Sequence, residues 1–313
     1  MREALWNAGT TCTSENPMIS GTCISTTIFA PKRQPALPLP ECIDRVTEAG
    51  YQRVELSRKT LGWAACAPHI RRNGLSVWSV HGTLDEAAVS SSSDQRSEAL
   101  AREMGQMEEA AAYAPCVYVV HYLNWGPEEG LELRWQNAIE RLLPKAEELD
   151  LTLAIETVSY KPNKRARYPT SEEIAAFVRS FESDHLRACI DLNHSNIVES
   201  LSHVASNFTS LIANIHVSDN RGLEEEHLPP GEGVIDFETA LCALSRAGYE
   251  GPLNLEIHLK GQPTRLDLVS LREWGERMLV HLEECCSALP ELHSTRRHRT
   301  GLPKADAEEG DEA

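Results

Sequence analysis

No stretch of the sequence approaches the roughly 18 consecutive apolar residues of a membrane-spanning helix, so no such span is expected. The first residues, MREALWNAGTTCTSENP (1–17), hold no apolar core of the kind a secretory leader needs, which makes the cytoplasm the expected location. Basic residues are scarce: 30 Lys and Arg stand against 47 Asp and Glu, a formal net charge of −17. Residues 296–313 carry four basic and five acidic side chains, so nearly all of that excess belongs to the rest of the chain. A protein that tracks a phosphate backbone normally presents a basic surface, because counterion release supplies much of its affinity. Nucleic acid is therefore not the expected partner. The nine cysteines include no CxxC pair and are scattered and odd in number. That pattern reads as reduced, buried thiols rather than a disulfide framework or zinc ribbon, and the adjacent Cys285–Cys286 on a predicted helix reads as inert. Nor does a G-x-G-x-x-G turn follow the first apolar run, as an open dinucleotide-binding sheet would often show.

What is present suffices for a real core: 41% of the 313 residues are hydrophobic and 25% charged. Short β-rich runs at 22–28, 53–56, 75–80, 117–120, 152–155, 188–190, 211–215 and 253–257 alternate with segments of helical period, among them 97–113, 131–149 and 237–247. Eight strands with a crossover after each imply a parallel sheet, and the count favours closure into a (β/α)8 TIM barrel over an open sheet. The barrel is expected over 18–289, with a poorly ordered extension at 1–17 and a disordered charged tail at 290–313.

The last residues of these runs carry the chemistry. RVELS closes on Glu55, SVHG on His81, VYVVH on His121, LTLAIE on Glu156, ACIDLNH on Asp191 and His194, ANIH on His216 with Asp219 beyond, and NLEIH on Glu256. One such residue alone is ordinarily structural. A closed parallel barrel, however, points every carboxyl-terminal strand end into one mouth, where barrel enzymes keep their active sites. Carboxylates and imidazoles suit Zn, Mn, Co or Mg, and converging carboxylates repel unless a cation lies among them. A divalent metal is the expected cofactor.

The run HVSDNRGLEEEHLPPGEGVIDF (216–237), followed by GYEGPLNLEI (248–257), resembles the final third of the xylose isomerase-like barrel superfamily. That superfamily holds sugar isomerases and epimerases together with three-zinc apurinic endonucleases. AGYQRVELS (49–57), LAIET (153–157) and CIDLNHSN (189–196) match its earlier motifs in order, so the resemblance covers roughly residues 20–286. It implies that Glu156, Asp191, His216 and Glu256 hold one divalent metal, and that Glu156 and Glu256 are the acid/base pair. It also implies that His194 touches substrate and that Arg221 binds a substrate hydroxyl or phosphate.

The implied activity is isomerisation or epimerisation of a sugar, sugar phosphate or related polyol by proton abstraction beside a carbonyl. A cation stabilises the enediolate charge while one carboxylate removes the proton and the other returns one. The same abstraction opens dehydratase or lyase chemistry on a keto-inositol or oxidised glycoside. The endonuclease branch is the other alternative. His81 and His121 match its second metal site, and His194 and His227 match its third, with Glu225 standing where that branch has an aspartate.

Two loops add candidates. SYKPNKRARYPT (159–170) brings Lys161, Lys164, Arg165 and Arg167 beside the expected mouth, either as a clamp for an anionic substrate or as a solvated lid. Trp63 and Trp125 fall at the same end, either stacking on a sugar face or simply packing. GEG at 231–233 reads as turn geometry rather than a phosphate loop. The expected partner is a small carbohydrate, with no membrane and with a homo-oligomer allowed.

Overall fold

Period-two alternation along each strand decides which side chains meet inside the molecule. The computed structural model describes residues 19–123, 126, 128–161 and 167–287; Trp125, Lys164, Arg165 and the expected terminal segments 1–17 and 290–313 lie outside these. Eight strands close in chain order into a parallel barrel: β1 (Thr22–Ser25), β2 (Arg53–Leu56), β3 (Ser76–His81), β4 (Cys116–His121), β5 (Leu151–Glu156), β6 (Leu186–Asp191), β7 (Ile212–Val217) and β8 (Leu253–Leu255). Pairing of Thr22 with Leu253 and Ile24 with Leu255 joins the last strand to the first. Around the strands lie α1 (Leu39–Glu48), α2 (Trp63–Arg72), α3 (Ser93–Ala110), α4 (Leu131–Glu148), α5 (Ser171–Arg179), the single turn α6 (Leu192–Ser195), α7 (Leu201–Asn207), α8 (Phe237–Arg246) and α9 (Arg265–Ser287). None of the described helices is long and apolar enough to cross a membrane.

In β5 the residues Leu151, Leu153 and Ile155 join the layer between strands and helices, while Ala154 joins the small barrel interior. β4 divides likewise, with Tyr118 and Val120 outward and Val117 and Val119 inward. The apolar part of this interior is made largely of small residues, among them Ala154, Cys189 and Ala213, with Trp78 packed against them. The outward layer is continuous and includes Trp135, fully buried against Tyr122 and Phe177 with ring centroids 5.4 and 5.9 Å apart. The same alternation sends the last residues of β4, β5 and β6 inward, where His121 pairs in register with Glu156 and Asp191 with His216.

Helix starts follow capping chemistry. Thr170 accepts from the Glu173 amide while the Glu173 carboxylate accepts from the Thr170 amide, opening α5, and Asp236 accepts from Thr239 to open α8. Two strands are shorter than the apolar runs suggested. β1 stops at Ser25 because hydroxyls take over: Ser25 accepts from the Thr27 amide, Thr27 Oγ1 lies 2.7 Å from Ser57 Oγ, and residues 26–29 form a 3-10 turn. β8 is short at its far end: the Glu256 amide still donates to the Val217 carbonyl of β7 at 3.1 Å, but the His258 amide turns to the His227 carbonyl at 2.8 Å.

Candidate metal centre

The strand ends converge on one buried cage. Donor atoms of Glu156, Asp191, His216 and Glu256 lie within 4.8 Å of one another. His216 Nδ1 stands 2.9 Å from Glu156 Oε1, 3.2 Å from Glu256 Oε2 and 3.9 Å from Asp191 Oδ2. Its other nitrogen, Nε2, donates to Glu55 Oε2 at 3.0 Å, which fixes the ring and leaves Nδ1 facing the three carboxylates. Glu55 is itself held by Ser79 Oγ at 2.6 Å and Asn254 Nδ2 at 2.8 Å.

Two further donor groups share carboxylates with this cage. His81 Nε2 and His121 Nε2 lie 3.0 and 3.1 Å from Glu156 Oε2. Asp191 groups also with His194 and His227. Glu225 reaches both of these histidines, at 3.8 Å from His194 Nε2 and 3.3 Å from His227 Nε2. His227 occupies the left-handed backbone region, φ 53°, which turns its ring over Glu256. His194 is oriented from below by a contact of 2.8 Å between Nδ1 and the Thr157 carbonyl.

Burial and neighbouring charge set the protonation of the cage. Burial raises the Asp191 carboxyl above its ordinary range, and its Oδ2 has no hydrogen-bond partner. Burial also works against ionising Glu156, yet His121 and His216 outweigh it and hold that carboxyl well below the usual range. Glu256 is brought down to about 2, since His216 and His227 outweigh the same burial. For His194 burial opposes the charge, but Asp191, Glu225 and Glu156 carry its pKa up to about 10. An orphaned carboxylate oxygen beside three further oxygen and nitrogen donors is the donor set of a hard or borderline divalent ion, so the residues fit one.

A cavity of about 580 Å³ opens over the cage. His81, His121, His194, Glu225, His227 and Glu256 all line it, as does Lys161, whose Nζ lies 4.0 Å from Glu225 Oε2. Other expected residues lie elsewhere. Trp63 begins α2 and is buried in the core rather than stacked at the mouth, because its ring fills space between strands and helices. Arg221 is not on the cavity wall: it turns outward onto Glu226. Arg167 pairs with Glu173 at 2.5 Å.

Asp219 proves to be a hub for its own loop, accepting from the amides of Gly231 and Gly233 at 2.9 Å and of Ile235 at 3.1 Å. The glycine at 233 is required by that approach, since a Cβ there would sit 2.2 Å from Asp219 Oδ1. The supporting role of Glu55, and His258, Arg58 and Lys59 on the cavity wall, were missed. The signal for the cations was their place directly after the β2 strand end, in the sequence RVELSRK.

Comparison with known proteins accords with this architecture. A D-tagatose 3-epimerase-like protein superposes with a TM-score of 0.71 at 20% identity, covering 85% of this chain and 99% of that one. L-ribulose 3-epimerase gives 0.70 at 17% identity over 88% and 100%. The 3-keto-D-glucoside 4-epimerase YcjR of E. coli gives 0.64 at 19% identity over 86% and 100%. At these identities the likeness is one of fold. An uncharacterized protein of Methanocaldococcus jannaschii, MJ1311, is 27% identical over 124 residues, so the match spans 38% of this chain and 41% of that relative's length. The family model described as xylose isomerase-like TIM barrel matches residues 43–276, and the chain belongs to that family.

Proposed function

We propose that the protein is a divalent-metal-dependent isomerase or epimerase acting on a sugar or related polyol. The observation that carries this reading is the pair Glu156 and Glu256, brought in from β5 and from the residue after β8 to flank His216 in a cage open to a cavity. Both carboxyls sit low enough to be ionised at neutral pH, so either can accept a proton. Glu156, Asp191, His216 and Glu256 would hold the metal, which supplies Lewis-acid stabilisation of negative charge developing on substrate oxygens. One glutamate takes the proton from the carbon beside the substrate carbonyl. Its counterpart returns a proton to the other face, for epimerisation, or to the neighbouring carbon, for isomerisation. Likeness in fold to two epimerases and an epimerase-like protein supports the reading.

A second reading has its own observation. The groups His81–His121–Glu156 and Asp191–His194–His227 share carboxylates with the first cage, the arrangement of a cluster of ions. Such a cluster suits zinc-dependent phosphodiester hydrolysis of the apurinic-endonuclease kind. The net charge of −17 weighs against a nucleic-acid substrate.

The test is turnover of ketoses in deuterated water with added Mn, Co, Mg or Zn. Deuterium should appear at carbon in the recovered sugar and should be lost in folded Glu156→Gln and Glu256→Gln. Release of water or an aglycone instead would move the assignment to a lyase, and chelator-sensitive nicking of abasic duplex DNA would move it to the nuclease.

A further inference from the structure

Two adjacent cations, Arg58 and Lys59, stand just past β2, after Ser57, and line the cavity. Acidic residues outnumber basic ones in this chain, and its surface cations find them readily: Arg45 meets Glu41 at 2.7 Å, Arg134 meets Glu128 at 2.8 Å and Arg187 meets Asp184 at 2.6 Å. Arg58 and Lys59 instead lean on imidazoles, with Arg58 Nη1 at 3.3 Å from His121 Nδ1 and Lys59 Nζ at 3.1 Å from His258 Nε2. The carboxylates that act on Lys59 from a distance, Glu256 and Glu225, are already committed to the histidines of the cage. Among the described residues no carboxylate pairs directly with either; two like charges side by side repel each other, and an anion between them reverses the sign of that interaction.

Their placement relates them to the reacting groups. His121, which Arg58 touches, lies 3.1 Å from Glu156 Oε2 through its other nitrogen. His258, which Lys59 touches, packs on His227 with ring centroids 4.4 Å apart, and His227 Nδ1 is 3.9 Å from Glu256 Oε2. The cations thus stand one or two imidazole rings out from the glutamates, a span that a short polyol chain bridges.

Resting on the isomerase reading above, we infer that Arg58 and Lys59 bind an anionic group, carboxylate or phosphate, at the end of the substrate remote from the reacting carbon. The substrate is then an acidic polyol rather than a neutral sugar. The guanidinium offers a planar fork to two anion oxygens and the ammonium adds a point charge. Binding energy from such a remote group fixes the carbon chain over the cage.

Titration calorimetry of the metal-loaded protein with D-glucitol, D-gluconate and D-glucitol 6-phosphate tests this. At least one anion should bind about tenfold or more tighter than glucitol, as charge-assisted contacts allow. Gluconate and the phosphate ester separate the two sources of the charge. A bound cation would itself favour anions, so the deciding quantity is the affinity ratio in variants. R58Q/K59Q should bring the ratio down toward one, and the charge-conserving R58K/K59R should keep it. An unchanged ratio in folded R58Q/K59Q overturns the proposal, as does the absence of tighter anion binding in the unsubstituted protein. Deuterium exchange reads separately. Exchange into neutral ketoses without anion preference refutes this subsite alone; a preference that depends on Arg58 and Lys59, without exchange into any substrate, refutes the isomerase reading alone.

Discussion

Replacing Glu55 by Gln perturbs the cage without altering any of its four residues. Four donors converge on Glu55 Oε2: Ser79 Oγ at 2.6 Å, Asn254 Nδ2 at 2.8 Å, His216 Nε2 at 3.0 Å and Asn214 Nδ2 at 3.3 Å, while Oε1 has no partner. Burial disfavours the Glu55 charge, but His216 outweighs it and keeps the carboxyl below its ordinary range. A glutamine has the same shape and keeps an acceptor oxygen for the four donors. Its amide nitrogen then takes the Oε1 position, where nothing accepts, at a cost of about 1–3 kcal/mol in stability. The charge behind His216 disappears, so Nδ1 becomes a poorer donor and the ring is less firmly held. Loss of such a supporting carboxylate lowers metal affinity by roughly 10–100-fold, or ~1.4–2.8 kcal/mol. Competition against a chromophoric chelator measures the affinity, with circular dichroism reporting the fold. Unchanged affinity in folded Glu55→Gln would refute the claim that Glu55 sets the His216 ring for a metal.

Other predictions concern protons, backbone and thiols. In the metal-free protein the His194 pKa is raised to about 10 and that of His216 well above its ordinary value. This stabilisation is complete below the ordinary histidine pKa of ~6.5 and fades as pH rises through about 10, so metal-free Tm should fall from neutral pH toward pH 10. A divalent cation must displace the same protons, so adding Zn or Mn at neutral pH should acidify a weakly buffered solution; a pH-indicator dye showing no release contradicts this. Gly233→Ala places a Cβ 2.2 Å from the Asn220 carbonyl oxygen and from Asp219 Oδ1. It should lose ~2–3 kcal/mol in urea denaturation, and an unchanged midpoint speaks against Asp219 as the loop's hub. Burial pushes the Cys42 and Cys116 thiols up to about 12. Iodoacetamide should therefore leave both largely unmodified in the native protein and label them in guanidinium, as read by peptide mass spectrometry.

The strand ends were legible because two rules combine without reference to detail. A period of two sends Glu156 and Asp191 inward, and closure of a parallel barrel brings all such ends to one mouth. Lateral support was not legible. That Glu55 lies behind His216 depends on contact between residues 161 positions apart, with no local pattern to announce it. Trp63 illustrates the opposite failure: a tryptophan just after a loop reads equally well as a sugar platform or as core, and only the packing between α2 and the barrel decides for core. The run 22–28 reads as strand throughout because Thr26, Thr27 and Ile28 suit one by type, whereas the hydroxyl bonds of Thr26 to Thr60 and of Thr27 to Ser57 favour a turn.

The central claim is that Glu156, Asp191, His216 and Glu256 form a cage for a divalent cation. Elemental analysis of the protein purified without chelator, then passed over a desalting column, tests it most directly. About one tightly held ion per chain should be found at this cage, lost in folded Asp191→Ala because that variant removes the cage carboxylate whose buried Oδ2 has no hydrogen-bond partner. A folded protein that retains no divalent metal, or an Asp191→Ala variant that keeps its full complement, would contradict it.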